Sequence, residues 1–287
     1  MFNRFLKNII GSRLYYLYLR DRFSPSLGVS QRRLYHYYRD CAEAGRVPGI
    51  EEAGFRVFSQ FEEDGKLLYV LSVIGMKSRR FVEIGSDDGL NSNCANLYFH
   101  FGYHGLYIDG NAAAIRRGKK FYDRYPNPYY HKPVFLHAMA TRENINELLD
   151  KHDFSGEVDL LSIDIDGNDY WIWDALEVCT PRVVVIETHV EFGLRNIVVP
   201  YDPLYRYPGV HPLYHGASAP AMVALGRRKG YRLVGANDYG SNLIFVKELL
   251  CGDLLPEVTA EEVLQHPSAI NSFEQFEQVK DFHFREG

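Results

Sequence analysis

Short apolar runs alternate with amphipathic stretches from residue 59 to residue 247. Runs rich in Val, Ile, Leu and Phe predict strands over 81–84, 105–108, 134–137, 160–165 and 183–187, and apolar residues at helical spacing predict helices over 93–100, 112–122, 143–151 and 170–176. Ahead of them Leu67, Leu68, Leu71 and Ile74 recur one helical turn apart. Ser59 followed by Glu62 has Ser-x-x-Glu capping-box spacing, which predicts a helix starting at Ser59. Residues 1–50 read as helical, punctuated by Pro25 and Pro48. Toward the end a helix is expected over 219–229, with Ser218 as its N-cap, and then strands over 231–234 and 242–246 joined by the turn "NDYG".

Strands alternating with helices require a mostly parallel sheet with right-handed crossovers. The terminal hairpin makes the last strand antiparallel. This is the plan of the class I, Rossmann-like methyltransferase fold: an α/β architecture with helices on both faces of the sheet. The expected organisation is a helical basic extension over 1–54, the α/β domain over 55–250 and a polar helical tail over 251–287.

Composition narrows the partners. Residues 1–40 hold eight Lys/Arg against two Asp, net +6, so in a chain of formal charge −5 the remainder carries −11. An acidic body argues against nucleic-acid binding. The basic, Tyr/Leu-rich head leaves three readings open: peripheral contact of residues 1–40 with an anionic membrane, contact with a second copy in a homo-oligomer, or packing on its own domain. No apolar run reaches 18 residues, and the N-terminus does not read as a signal peptide. The four cysteines form no CxxC pair, which argues against a disulfide framework or structural zinc. The expected location is the cytoplasm, with the inner face of the membrane open. Tyrosine outnumbers tryptophan 21 to 2, which suits stacking on sugar rings but equally suits a core.

"FVEIGSDDGLNSN" (81–93) carries the first chemistry. A strand ends in Glu-x-Gly, and Gly85 and Gly89 allow close approach of backbone to ligand. Asp109, ending the next strand 24 positions after Gly85, falls where a ribose hydroxyl is held. Glu83, Asp87 and Asp88 would repel a pyrophosphate and favour S-adenosylmethionine, which carries an ammonium and a sulfonium. Ser86 and Asn91, in the same loop, join the expected cofactor-binding set, as does Asp164.

Taken with "SQFEEDGKLLYVLSVIG", "LLSIDIDGNDYWIWDAL", "VVVIETH", "VVPYDPLYR" and "YHGASAPAMVALGRRKGYRLVGANDYGSNLIFV", this motif makes residues 59–247 resemble the FkbM-type methyltransferases. The resemblance implies a donor pocket lined by Glu83, Gly85, Asp87 and Gly89, with Asp109 at the ribose, and methylation of hydroxyls on sugars or natural products. It also implies Asn at position 189, where this chain has His189.

"LLSIDIDGNDYWIW" (160–173) places carboxylates at a strand end, and burial there is costly unless they face a cation. Strand period two puts Asp164 and Asp166 on one side, and Glu187 and His189 likewise. Three readings stand. Asp164, Asp166, Glu187 and His189 hold Mg²⁺ or Mn²⁺; or His189 or Asp166 is a general base, with Asp164 beside the reacting groups; or Asp164 meets only the donor while Asp166 and Asp169 are caps and turn formers. The Pro/Tyr-rich loop 198–218 is expected to cap the acceptor through Tyr201, Tyr205, Tyr207, His211 and His215.

The expectation is transfer of a methyl group from S-adenosylmethionine to a hydroxyl of a bacterial sugar or glycan precursor, with metal assistance open. Methylation of an N- or phosphate-linked group, or a non-catalytic assembly role in glycan biosynthesis, are the alternatives.

Overall fold

The computed structural model describes Leu17, residues 19–124 and residues 131–287. Arg4, Lys7 and Arg13, part of the basic head and its expected membrane contact, lie outside the described residues.

The elements follow in order: α1 (Pro25–Glu43), α2 (Glu63–Val73), β1 (Arg80–Ile84), α3 (Ala95–Phe101), β2 (His104–Asp109), α4 (Ala112–Tyr122), β3 (Val134–His137), α5 (Ile145–Lys151), β4 (Gly156–Ile163), α6 (Asp169–Ala175), β5 (Cys179–Glu187), β6 (Ile197–Val198), α7 (Ala219–Arg228), β7 (Tyr231–Ala236), β8 (Asn242–Lys247), α8 (Ala260–Val263), α9 (Pro267–Ser272) and β9 (Arg285–Glu286). The main sheet runs β3-β2-β1-β4-β5-β8-β7. Its pairs are parallel except those of β8, which is antiparallel to β5 and β7. That strand order, with the reversed strand inserted second from the edge, establishes the class I methyltransferase fold.

Alternation along the strands sorts side chains between two faces. Val82, Ile84, Leu106, Ile108, Leu161, Ile163, Val184 and Ile186 pack with α5, α6 and α7. Phe81, Tyr107, Leu160, Val183 and Val185 pack on the other side with α1 to α4. Helix starts are set locally. Asn111 accepts the amides of Ala113 and Ala114 to begin α4, and Ser218 accepts that of Ala221 to begin α7. Arg227 and Arg228 close α7 on the favourable side of its dipole.

Ser59 does not start α2. The buried Asp64 carboxylate instead accepts the amides of Val57, Phe58 and Ser59 at 2.5–2.9 Å, and the Ser59 hydroxyl accepts that of Asp64. This holds the chain in a bend, and the helix begins only at Glu63. The strand expected over 160–165 ends at Ile163, because the backbone turns away at Asp164–Asp169. Residues 251–287 include α8, α9 and β9. The two-residue strand β9 pairs with β6, and Phe276 and Val279 pack on Phe192.

Candidate functional site

At the carboxyl ends of β1, β2 and β4 lies a cavity of about 380 Å³, the position where open α/β sheets bind ligands. Gly85, Asp87, Asn91, Asp109, Asp164 and Asp166 line it. Gly85 adopts φ +87°, and a Cβ there would fall 1.6 Å from the Asp164 carbonyl oxygen, so only glycine lets the β1 and β4 loops meet. Asp109 accepts the amides of Asp87 (2.8 Å) and Asn111 (2.6 Å), which fixes its carboxylate at the cavity wall. Burial raises its pKa despite those bonds. Arg117 pairs with Asp87 at 3.1 Å and reaches Asp88 at 3.7 Å.

Three expected members of this wall lie elsewhere. Glu83 is buried beneath the loop, accepting from the Ser92 hydroxyl (2.5 Å) and the Asn93 amide (3.1 Å), and burial pushes it up to about 7. It shapes the loop from below. Gly89 packs toward the Tyr107 and Phe135 rings, and Ser86 is buried with its hydroxyl unpaired. Met139, Ala140 and Thr141, absent from the sequence-based set, complete the wall from beyond β3.

The acidic feature comes from loop geometry as well as strand ends. Asp164, Asp166 and Glu187 present oxygens within 4.8 Å of one another. Asp166 sits at φ +55°, a strained conformation for a non-glycine residue. Asp169 builds this turn, accepting the amides of Ile165 (2.8 Å) and Gly167 (2.9 Å). Burial and the neighbouring charges of Asp169 and Asp166 push Asp164 up to about 8. Burial and Asp164 hold Glu187 well above the carboxylate range, and burial takes Asp169 to about 6. The cluster is therefore short of positive charge, and a cation would relieve it.

His189 does not join these carboxylates. Beyond Glu187 the chain is tied to Ala217 through the Thr188 hydroxyl and the His189 amide. The His189 ring meets the Leu213 carbonyl at 3.1 Å and Glu191 at 3.4 Å. Burial lowers its pKa to about 4, so it is neutral at pH 7.

A second cavity, of about 330 Å³, adjoins the first and shares Asn168, Tyr205 and Arg206 with it. Of the five expected acceptor residues, Tyr205 and His215 line it. Tyr201 is engaged by Glu143 at 2.6 Å, Tyr207 is exposed with its ring edge toward His215, and His211 packs near Phe282. Tyr214, a further tyrosine of the same loop, does line the cavity. The Tyr205 ring is wedged between Gly167 and Gly209, where added Cβ atoms would lie 2.3 and 2.6 Å from it. Its hydroxyl is buried and unpaired. Burial and the nearby Asp166 raise its pKa.

No family model matches the chain, and no curated protein sequence matches it. Among solved structures, it is similar to a Staphylococcus aureus protein assigned as a caffeoyl-CoA O-methyltransferase, with 16% identity and TM-score 0.46, covering 82% of this chain and 99% of the other. It is also similar to a Bacillus cereus O-methyltransferase in complex with SAH, with 14% identity and TM-score 0.43, covering 85% and 96%. At these scores the strand order establishes the fold without their help. No helix among the described residues is long and apolar enough to cross a membrane.

Proposed function

We propose that this chain is an S-adenosylmethionine-dependent methyltransferase acting on a hydroxyl of a bacterial sugar or glycan precursor. The observation that carries the reading is the acidic cavity at the switch point of the sheet, with Asp109, Asp87 and Asp164 on its wall, where the amides of Gly85 and Ser86 bond the Ile108 carbonyl and that of Asp87 bonds Asp109. Asp109 would hold the ribose hydroxyls, and Asp164 would face the positively charged end of the donor. When bound, S-adenosylmethionine supplies a methyl carbon on a sulfonium that departs as a neutral thioether.

The chain's own contribution is alignment and proton removal. The second cavity would seat the acceptor so that its oxygen meets the methyl group at the shared wall. Asp166, open to the first cavity and clustered with Asp164 and Glu187, would accept the acceptor's proton as the new C–O bond forms. Burial leaves the His189 ring a weak base and Leu213 and Glu191 engage it, which makes it unsuited to that task, and the raised pKa of Tyr205 keeps it a hydrogen-bond donor. The three clustered carboxylates also fit Mg²⁺ or Mn²⁺, which would supply charge neutralisation and hold acceptor oxygens. Contact of residues 1–40 with anionic lipid, at the inner face of the membrane, is part of the same reading.

The test is incubation with methyl-labelled S-adenosylmethionine and a panel of methyl glycosides and nucleotide sugars, with and without Mg²⁺. A labelled, methylated glycoside or nucleotide sugar supports the sugar assignment. No labelled glycoside or nucleotide sugar, with or without Mg²⁺, overturns the sugar assignment.

A further inference from the structure

The loop that roofs the second cavity holds apolar side chains out into water. Leu204, Tyr207 and Val210 are 80%, 56% and 79% exposed, and Leu204 and Val210 also line the cavity. The exposure is imposed by a locally braced loop. Asp202 accepts the amide of Leu204 at 2.8 Å through its side chain and that of Tyr205 at 3.1 Å through its carbonyl. Asn168 donates to the same carbonyl at 2.9 Å, and the Gly209 amide bonds the Arg206 carbonyl at 2.7 Å. With Tyr205 fixed between two glycines, the loop cannot readily fold these side chains inward. Inside the mouth, Val199, Pro200 and Tyr214 extend the apolar surface toward Tyr205 and the first cavity.

We infer that the second cavity takes an acceptor whose polar head carries an apolar chain, and that this chain leaves across Leu204 and Val210. The inference rests on the second cavity being the acceptor site. Its support is continuity: the side chains at the rim are the same ones that line the interior, so a ligand reaching Tyr205 through this opening passes over them. Burying alkyl carbons there removes apolar surface from water on both partners. A free sugar or nucleotide sugar would leave that rim exposed.

The experiment uses the full chain loaded with S-adenosylmethionine, after direct titration has established donor binding. Methyl, butyl, hexyl and octyl β-glucosides, kept below their micelle-forming concentrations, are then titrated by calorimetry. Affinity is expected to rise with chain length, by about fourfold for each methylene fully buried. In the double variant Leu204→Ser, Val210→Ser the gradient should flatten while donor affinity is retained. Because both side chains are exposed, these substitutions spare the core. Binding independent of chain length, absence of glucoside binding, or a gradient that persists in the variant overturns the inference. So does a wild-type dimer that dissociates in the variant, which would assign the rim to a second copy of this chain. Failure of the wild type to bind the donor at the first step would instead overturn the methyltransferase reading beneath it.

Discussion

Gly85 and Asp164 approach so closely that the space for a glycine Cβ is already filled by the Asp164 carbonyl oxygen, 1.6 Å away. This contact joins the loop after β1 to the loop after β4 and forms the floor of the first cavity. Gly85→Ala is therefore expected to push the two loops apart, with strain added by the positive φ. Donor affinity should fall at least about tenfold, more than 1.4 kcal/mol, and the melting temperature should drop with it. Calorimetric titration and a thermal melt on the same sample check both.

Tyr205 offers a gentler probe of the wall between the cavities. Tyr205→Phe removes only the buried, unpaired hydroxyl and keeps the ring between Gly167 and Gly209. Methyl transfer should fall about tenfold to a hundredfold, as for loss of one hydrogen bond in a closed site, with donor affinity unchanged. An equal loss of donor affinity would place the hydroxyl on the donor side.

The carboxylate cluster makes stability depend on pH. Asp164 titrates at about 8 in the folded chain, against roughly 4 for an unperturbed Asp. The folded state thus holds a proton that the unfolded state has lost between those values. Its stabilisation is full below about pH 4 and is lost as pH rises through about 8. Asp164→Asn should therefore melt higher than the parent at pH 8 without ligand, by roughly 2–4 °C for each kcal/mol relieved. The same variant should bind S-adenosylmethionine more weakly. A lower melting temperature at pH 8 would contradict the like-charge account.

His189 is predicted to matter for packing rather than proton transfer. Its ring lies 4.5 Å from that of Phe192 and 4.3 Å from that of His215. His189→Asn should lower stability by about 1–2 kcal/mol while the pH dependence of methyl transfer keeps its shape. Displacement of the acidic limb of that profile would restore His189 as the general base.

The sequence was most informative where local chemistry and tertiary structure agree. Helix α4 spans 112–122 as expected because Asn111 caps it and its apolar stripe meets the sheet. The parallel sheet follows from alternation and its antiparallel strand from the hairpin, and the strand ends carrying Asp109 and Glu187 were visible as acidic stops after apolar runs. What spacing could not convey is the direction a side chain takes after the strand ends. Glu83 and His189 stand in the expected segments, but their polar atoms are engaged by Ser92, Asn93 and Leu213. Ser59-x-x-Glu62 and Thr259-x-x-Glu262 carry the same cap pattern, yet only the second forms the capping box, since Asp64 takes the amides around Ser59. Met139 and Thr141 have no local signature, because only sheet order brings the segment after β3 beside Asp109. Tyr214 carries the same signal in the sequence as Tyr201, Tyr205 and Tyr207, being a tyrosine of the same aromatic loop.

The most direct test of the central claim is calorimetric titration of S-adenosylmethionine into the full chain and into Asp109→Ala, each with Mg²⁺ and after chelation. The account predicts one donor site per wild-type chain in both conditions and a loss of at least about tenfold in affinity in the variant. A wild-type chain that binds no donor in either condition, or a variant that binds it undiminished, would contradict the account.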